Sequence, residues 1–368
     1  MKKIFTVILL VTVLIIPQLG CKSQQNNYQG VTKTGFYMDT VCPITIYSMT
    51  GTEDMGQEEQ EQKALSVITG AFKLCDEYEK RLSKTIEGSE IYRINHAAGE
   101  AVEVDETTIE VIEKGMEYGR ISGGNFDITI GQVTDLWDFH EQDEAGEKTG
   151  QVPDENEIEQ AVSHVDYEQI IIQGNTVRLA DPQAAVKFTA GGAECTLGGI
   201  AKGYVADRVG DYMEEQGVTS AVISLGGNIV VIGEKGVSMT DSQGDDFSIG
   251  IRDPQSDSGD LAGVLRCSDK TVVTSGTYER YFEADGIRYH HILDPETGYP
   301  FDTDVLSVTI IADKGRSVDC DGLSTTCLTL GTEKGMELIR SMDGIEAVFI
   351  DTEGQITLSD DSLAFEQS

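Results

Sequence analysis

Three runs in this 368-residue chain gather side chains able to do chemistry. The first is Thr196-Leu-Gly-Gly-Ile-Ala-Lys-Gly-Tyr-Val-Ala-Asp207. Gly198 and Gly199 let a ligand approach the backbone, and the helix predicted to follow offers unpaired N–H groups at its start. Lys202 falls in the first turn, where its charge opposes the helix dipole unless an anion offsets it. A pyrophosphate would do that. A plain strand-to-helix turn is the other reading, since the run has neither Walker spacing nor GxGxxG.

The second run is Asp319-Cys-Asp-Gly-Leu-Ser-Thr-Thr-Cys-Leu328. With a helix starting near Ser317, Asp321 and Thr325 lie one turn apart on one face. A carboxylate with a hydroxyl suits Mg²⁺, which keeps water and phosphate oxygens as its other ligands. The alternative is that Asp319 and Asp321 only complement the helix N-terminus. In the third run, His290 and His291 fall on a predicted strand, so their side chains point to opposite faces. At most one of them enters a site, where a neutral imidazole can act as a general base. Asp294-Pro-Glu-Thr-Gly298 beyond them is turn chemistry. His96, His140 and His164 stand in unrelated polar contexts.

Positioning these runs requires a framework of helices and short strands. Residues 36–49 alternate as a strand, and residues 58–81 have helical spacing with Leu65, Ile68, Phe72 and Cys75 on one face. Further helices are expected over 107–121, 153–165, 200–216, 318–330 and 333–342. Short strands are expected over 170–172, 176–179, 222–232, 247–251, 305–311 and 347–357. Strands and helices do not alternate strictly, which favours α+β over a doubly wound sheet. Residues 141–155 are acidic and unpatterned, as an exposed loop would be, and no domain boundary is evident.

Charge and leader narrow the setting. With 64 Asp and Glu against 27 Lys and Arg, the formal net charge is −37. That balance excludes nucleic acid and electrostatic docking on an anionic membrane as partners. Lys2 and Lys3, an apolar run from Ile4 to Ile16 and then Gly20-Cys21 describe an export signal over residues 1–20. Gly20-Cys21 before a polar stretch resembles a bacterial lipoprotein site, despite Gln18 where an aliphatic residue is usual. Cys21 would then be lipidated, with residues 21–35 forming a tether and 36–368 the folded domain. The protein would be exported and held at the outer face of the cell membrane by its lipid alone. Of the seven cysteines, the six beyond Cys21 show no CxxC spacing and read as buried free thiols, although export would permit a disulfide.

Taken in order, the runs resemble the ApbE family of FAD:protein FMN transferases. The matching segments are Met38-Asp-Thr40, Arg81-Leu-Ser83, Ser89-Glu-Ile-Tyr-Arg-Ile-Asn95, Phe126-Asp-Ile-Thr-Ile-Gly131 and Leu136-Trp137. They continue with Leu197-Gly-Gly-Ile-Ala-Lys-Gly203, Ser224-Leu-Gly-Gly-Asn228, Ile249-Gly-Ile-Arg-Asp-Pro254, Val273-Thr-Ser-Gly276, His291-Ile-Leu-Asp-Pro-Glu-Thr-Gly298 and Asp321-Gly-Leu-Ser-Thr325. The resemblance implies a single large T-fold-related domain of mixed sheets with flanking helices. It implies Mg²⁺ held by Asp321, Thr325 and the carbonyl of Gly199. It places Lys202 and Gly198 at the FAD pyrophosphate, Thr196 among the FAD contacts, and Met38, Phe126, Asp127, Ile128 and Ile292 along the flavin and adenosine. His291 would deprotonate the acceptor hydroxyl. FMN would pass from FAD to a Thr or Ser of an FMN-binding-domain protein in a membrane redox or extracytoplasmic electron-transfer system, releasing AMP. Two other functions use the same residues: a Mg²⁺-dependent FAD pyrophosphatase and a non-catalytic FAD-binding lipoprotein. This chain departs from the family at Thr196, where Asp is frequent, and at Gly199 and Gly322, where Ala is common.

Overall fold

The computed structural model describes residues 30–52, 54–137, 139, 150–185, 199–235, 245–256 and 258–368. Cys21, Thr196 and Gly198, the leader, and most of the acidic 141–155 stretch lie outside the described residues.

The described chain opens with β1 (Val31–Tyr37) and β2 (Thr40–Met49), then helices α1 (Gln57–Leu82) and α2 (Glu90–Asn95). Next come β3 (Val102–Glu103), α3 (Glu106–Ser122), α4 (Gly131–Leu136), α5 (Glu155–Val162), β4 (Ile170–Gln173) and β5 (Thr176–Leu179). Helix α6 (Ala201–Glu215) leads into β6 (Val218–Leu225), β7 (Asn228–Ile232), β8 (Phe247–Arg252), β9 (Leu261–Cys267) and β10 (Lys270–Gly276). A hairpin of β11 (Tyr281–Ala284) and β12 (Ile287–His290) precedes β13 (Val305–Asp313), α7 (Ser317–Arg340), β14 (Ile345–Asp351), β15 (Ile356–Leu358) and β16 (Phe365–Gln367).

Eight strands form one sheet in the order β1-β2-β6-β7-β10-β13-β14-β15, antiparallel at every pairing. Across the central strands both faces are buried, and alternation along each strand divides the core between them. On one face Ile44, Ala221, Ile223 and Val230 meet Val205, Val209 and Met213 of α6 and Ile68 and Phe72 of α1. Farther along the same face, Val273, Val308, Ile310 and Phe349 meet Leu323, Cys327 and Leu328 of α7. On the other face their neighbours Val231, Val272, Ile311 and Val348 pack on Phe247, Ile249 and Leu265 of the small sheet β16-β9-β8. Helices on one face of an antiparallel sheet make an α+β architecture, as the sequence leads one to expect.

Two expected strands are hairpins. Residues 36–49 break at Met38 and Asp39, whose φ angles are 51° and 57°, and 222–232 breaks at Gly226 and Gly227, at 57° and 92°. The helix expected over 153–165 is shorter, because Asp154 caps it by accepting from the Asn156 N–H. Residues 318–342 form the two expected helices, joined across Gly331 at φ 81°. Cys42, Cys75, Cys267, Cys320 and Cys327 are buried free thiols.

Candidate functional site

Antiparallel order brings the β1–β2 turn, the β6–β7 turn and the end of β10 to one end of the large sheet. The first two meet directly: a Cβ on Gly226 would lie 2.4 Å from Thr40 Oγ1. Lys202 reaches across from the first turn of α6, its Nζ 3.4 Å from the Gly226 carbonyl oxygen. Helix α6 starts at Ile200 without a side-chain cap. Its first amides and the Lys202 ammonium therefore share one positive end.

Asp321 faces this end from α7 and is buried. Its Oδ2 accepts from the Gly203 N–H at 2.9 Å, and Asn228 Nδ2 lies 3.4 Å from its Oδ1. Burial pushes the Asp321 carboxyl up, and the Lys202 charge opposes that shift. Thr325 lies one turn on, with Ser275 Oγ 3.4 Å from its Oγ1. Gly199 completes the group. A Cβ there would lie 2.8 Å from Thr325 Oγ1 and 2.9 Å from the Phe126 ring. Asp321, Thr325, Gly199 and Lys202 therefore converge.

Phe126, Asp127 and Ile292 line a cleft that Thr325 also borders. The Asp127 carboxylate is engaged within the chain, accepting from the Thr129 N–H and hydroxyl and from the Tyr167 N–H. It holds the 127–130 turn that presents Phe126. Ile128 turns away into the core, where a Cβ on Gly115 of α3 would strike it at 2.6 Å. Met38 is buried in its turn, its N–H donating to Glu79 Oε1. Gly322 leaves room for the Tyr118 ring, which a Cβ would meet at 2.5 Å. That ring donates its hydroxyl to Asp319, so the glycine at 322 has a packing partner in this chain.

The strand β12 ends at His290, so His291 opens the following turn rather than sharing the strand. Both imidazoles are buried. His290 Nε2 bonds the Phe301 carbonyl, whereas His291 Nδ1 lies 3.2 Å from the Arg280 carbonyl. A carbonyl only accepts, so Nδ1 of His291 carries hydrogen and Nε2 keeps its lone pair. Burial pushes the His291 imidazole well below its ordinary range, and the His290, Arg280 and Lys202 charges add to the shift. The ring is therefore neutral at pH 7.

Three residues near this site were invisible to spacing arguments. Asp207 caps α7, Asn228 orients Asp321, and Arg280 links Asp39 to His291. The one signal in the sequence was position, since Asp207 and Asn228 close two of the glycine-framed runs and Arg280 lies in the stretch after Gly276. A larger cavity of about 690 Å³ lies outside α6, beside Glu110, Lys114 and Tyr204. On its wall Lys114 pairs with Glu117 and with Asp319 of α7, and the Tyr204 hydroxyl donates to Glu110.

A model of the ApbE family matches residues 38–349. The chain is 33% identical over 343 residues to the FAD:protein FMN transferase of Treponema pallidum (strain Nichols), covering 92% of this chain and 90% of that protein. It is 36% identical over 297 residues to a FAD:protein FMN transferase of Klebsiella pneumoniae (strain 342), covering 80% and 85%. Among solved structures it is similar to the ApbE protein of Thermotoga maritima MSB8, with TM-score 0.73, 28% identity and coverage of 89% and 96%. The flavin transferase ApbE from Vibrio cholerae gives TM-score 0.71 at 26% identity, covering 90% and 96%.

Proposed function

The chain belongs to the ApbE family, and on that premise we propose that it transfers FMN from FAD to a Thr or Ser hydroxyl of a partner flavoprotein, releasing AMP. The observation that carries this reading is the meeting of Lys202, Asp321, Thr325 and Gly199 at one end of the sheet, with His291 directly before Ile292, which borders the same cleft as Thr325 and Phe126.

The donors fit Mg²⁺. Asn228 Oδ1 is buried beside Asp321 without a hydrogen-bond partner among the described residues, and Gly199 leaves open the volume a Cβ would take against Thr325. Carboxylate, hydroxyl and backbone carbonyl are hard oxygen ligands. Asp321, Thr325 and the Gly199 carbonyl would hold the ion, which when bound supplies neutralising charge to the phosphates.

Lys202 and the start of α6, where Ile200 supplies no side-chain cap and Asp321 takes only the Gly203 N–H, bind the pyrophosphate and stabilise the charge that develops on it. Phe126 and Ile292 border the cleft that takes the flavin and adenosine. The acceptor oxygen attacks the phosphorus of the FMN half, and the bond from that phosphorus to the bridging oxygen breaks. AMP leaves with the bridging oxygen, and the acceptor proton passes to His291 Nε2. Positioning and electrostatics dominate such transfers, so no covalent enzyme intermediate is required.

The leader supports the setting. Its basic start, apolar run and Gly20-Cys21 point to export, lipidation of Cys21 and anchoring at the outer face of the cell membrane. Acceptors there would be FMN-binding-domain proteins of membrane redox complexes or extracytoplasmic electron-transfer chains. The test is mature protein from Lys22 onward with FAD, Mg²⁺ and such an acceptor, following acceptor mass and free AMP. Covalent FMN with AMP, both lost with a chelator, is the expected result. Free FMN and AMP with the acceptor unmodified would mean pyrophosphatase, and FAD binding without AMP would mean a carrier.

A further inference from the structure

We propose that the ion pair between Asp39 and Arg280 is a positioning device that ties the β1–β2 turn to His291 and holds that imidazole in one tautomer. The inference rests on the reading of His291 as the base.

Arg280 acts through two separate groups. Its carbonyl accepts twice from one residue, from the His291 backbone N–H at 3.1 Å and from His291 Nδ1 at 3.2 Å. Where that carbonyl sits therefore decides both the backbone path into His291 and which ring nitrogen carries hydrogen. The guanidinium engages a different element. Its Nη2 lies 2.9 Å from Asp39 Oδ2 and 3.5 Å from the Asp39 carbonyl oxygen, across 241 positions of sequence.

The turn at the far end is a firm anchor. Met38 and Asp39 both have positive φ, the geometry of a two-residue hairpin turn, which suits Asp but is uncommon for Met. Met38 is held there by complete burial and by its N–H bond to Glu79. A conformation that costs energy persists only where its surroundings determine it fully. The Asp39 and Arg280 side chains are only 22% and 20% exposed. Removing both charges from water offsets much of their attraction, so such a pair is weak as a source of stability and better suited to fixing register. The register fixed here is that of the 280–291 segment against the Met38 turn. A flavin against the β1–β2 turn and a base at His291 would thereby share one reference point.

The test uses the mature chain labelled with ¹⁵N-histidine. His291, assigned by its absence in His291→Gln, should show protonated Nδ1 and unprotonated Nε2. Asp39→Asn and Arg280→Gln leave the carbonyl in place, so any effect on the ring must come through position. Each should mix the two tautomers and lower kcat for transfer to an FMN-domain protein about tenfold, with KM for FAD held within about threefold. The double variant should lose no more than either single, because both remove one device. A pure Nδ1–H tautomer in both variants, additive losses, or FAD binding that falls in step with kcat would each overturn the proposal. If Asp39→Asn does not fold, Arg280→Lys, which keeps the charge but loses the planar fork, gives the same readouts. Wild-type protein that binds FAD and leaves the acceptor unmodified would overturn the base reading instead, while the tautomer spectra still decide the role of the ion pair.

Discussion

Asp207 on α6 and Asp321 on α7 each accept from the first turn of the other's helix. The two carboxylate oxygens of Asp207 take the Ser317 and Val318 N–H groups at 2.9 and 3.0 Å, while Gly203 N–H donates to Asp321 at 2.9 Å. Helix α7 has no side-chain cap from its own N-cap residue, Arg316, so the neighbouring helix supplies one. Gly203 permits the approach. A Cβ there would lie 2.3 Å from the Ser317 carbonyl oxygen. Lys202 on one helix and Asp321 with Thr325 on the other are thereby held at a fixed separation.

Asp207→Ala should leave the buried Ser317 N–H and the half-buried Val318 N–H at the start of α7 without this acceptor, costing about 2 kcal/mol. Asp207→Asn keeps one acceptor and should lose about half as much. Urea unfolding measures both. An unchanged midpoint in the alanine variant would mean that the clasp contributes nothing to the fold.

Local signals carried much of this architecture. The α3 helix was expected over 107–121 and runs Glu106–Ser122, because Asp105 caps its start and Gly123 ends it in the left-handed region. The pairing of Asp321 with Thr325 followed from helical spacing alone. The β1–β2 hairpin did not declare itself, since Met38-Asp39 has neither Gly nor Asn and the alternation continues through it. Gly199 beside Thr325 came only through the family resemblance. Asp207 and Arg280 act on partners 110 and 241 residues distant. No periodicity encodes contacts of that range.

Asp321→Asn should abolish Mg²⁺-dependent AMP release and weaken Mg²⁺ binding by calorimetry, because a neutral amide is a poorer ligand for a hard cation. It should also cost about 1–2 kcal/mol, since the amide must set an N–H against either Gly203 N–H or Asn228 Nδ2. Full chelator-sensitive turnover in this variant would remove Asp321 from the metal site.

His291→Ala should lower kcat by about 10²–10⁴, the usual contribution of a positioned general base. The Kd for FAD should stay within about threefold. Equal losses in both would make His291 a binding residue.

The neighbouring His290 should govern part of the pH dependence of stability. Its Nε2–H donates to the Phe301 carbonyl at 3.1 Å and its Nδ1 accepts from the Ile292 N–H at 3.3 Å. Only the neutral ring can do both. Burial, reinforced by the Arg288 charge, lowers its pKa from 6.5 to about 4. Between those values the unfolded chain binds a proton that the folded chain refuses, so stability is lost as pH falls below 6.5 and levels off below about 4. The loss at pH 5 relative to pH 7.5 should be about 2 kcal/mol. Carboxylates raised by burial, Asp127, Asp207 and Asp321, act in the opposite sense. They are common to wild type and His290→Gln, so the difference between the two stability curves isolates the imidazole. His290→Gln should be less stable at pH 7.5 yet lose about 2 kcal/mol less on moving to pH 5. Parallel curves would assign the acid sensitivity to other groups.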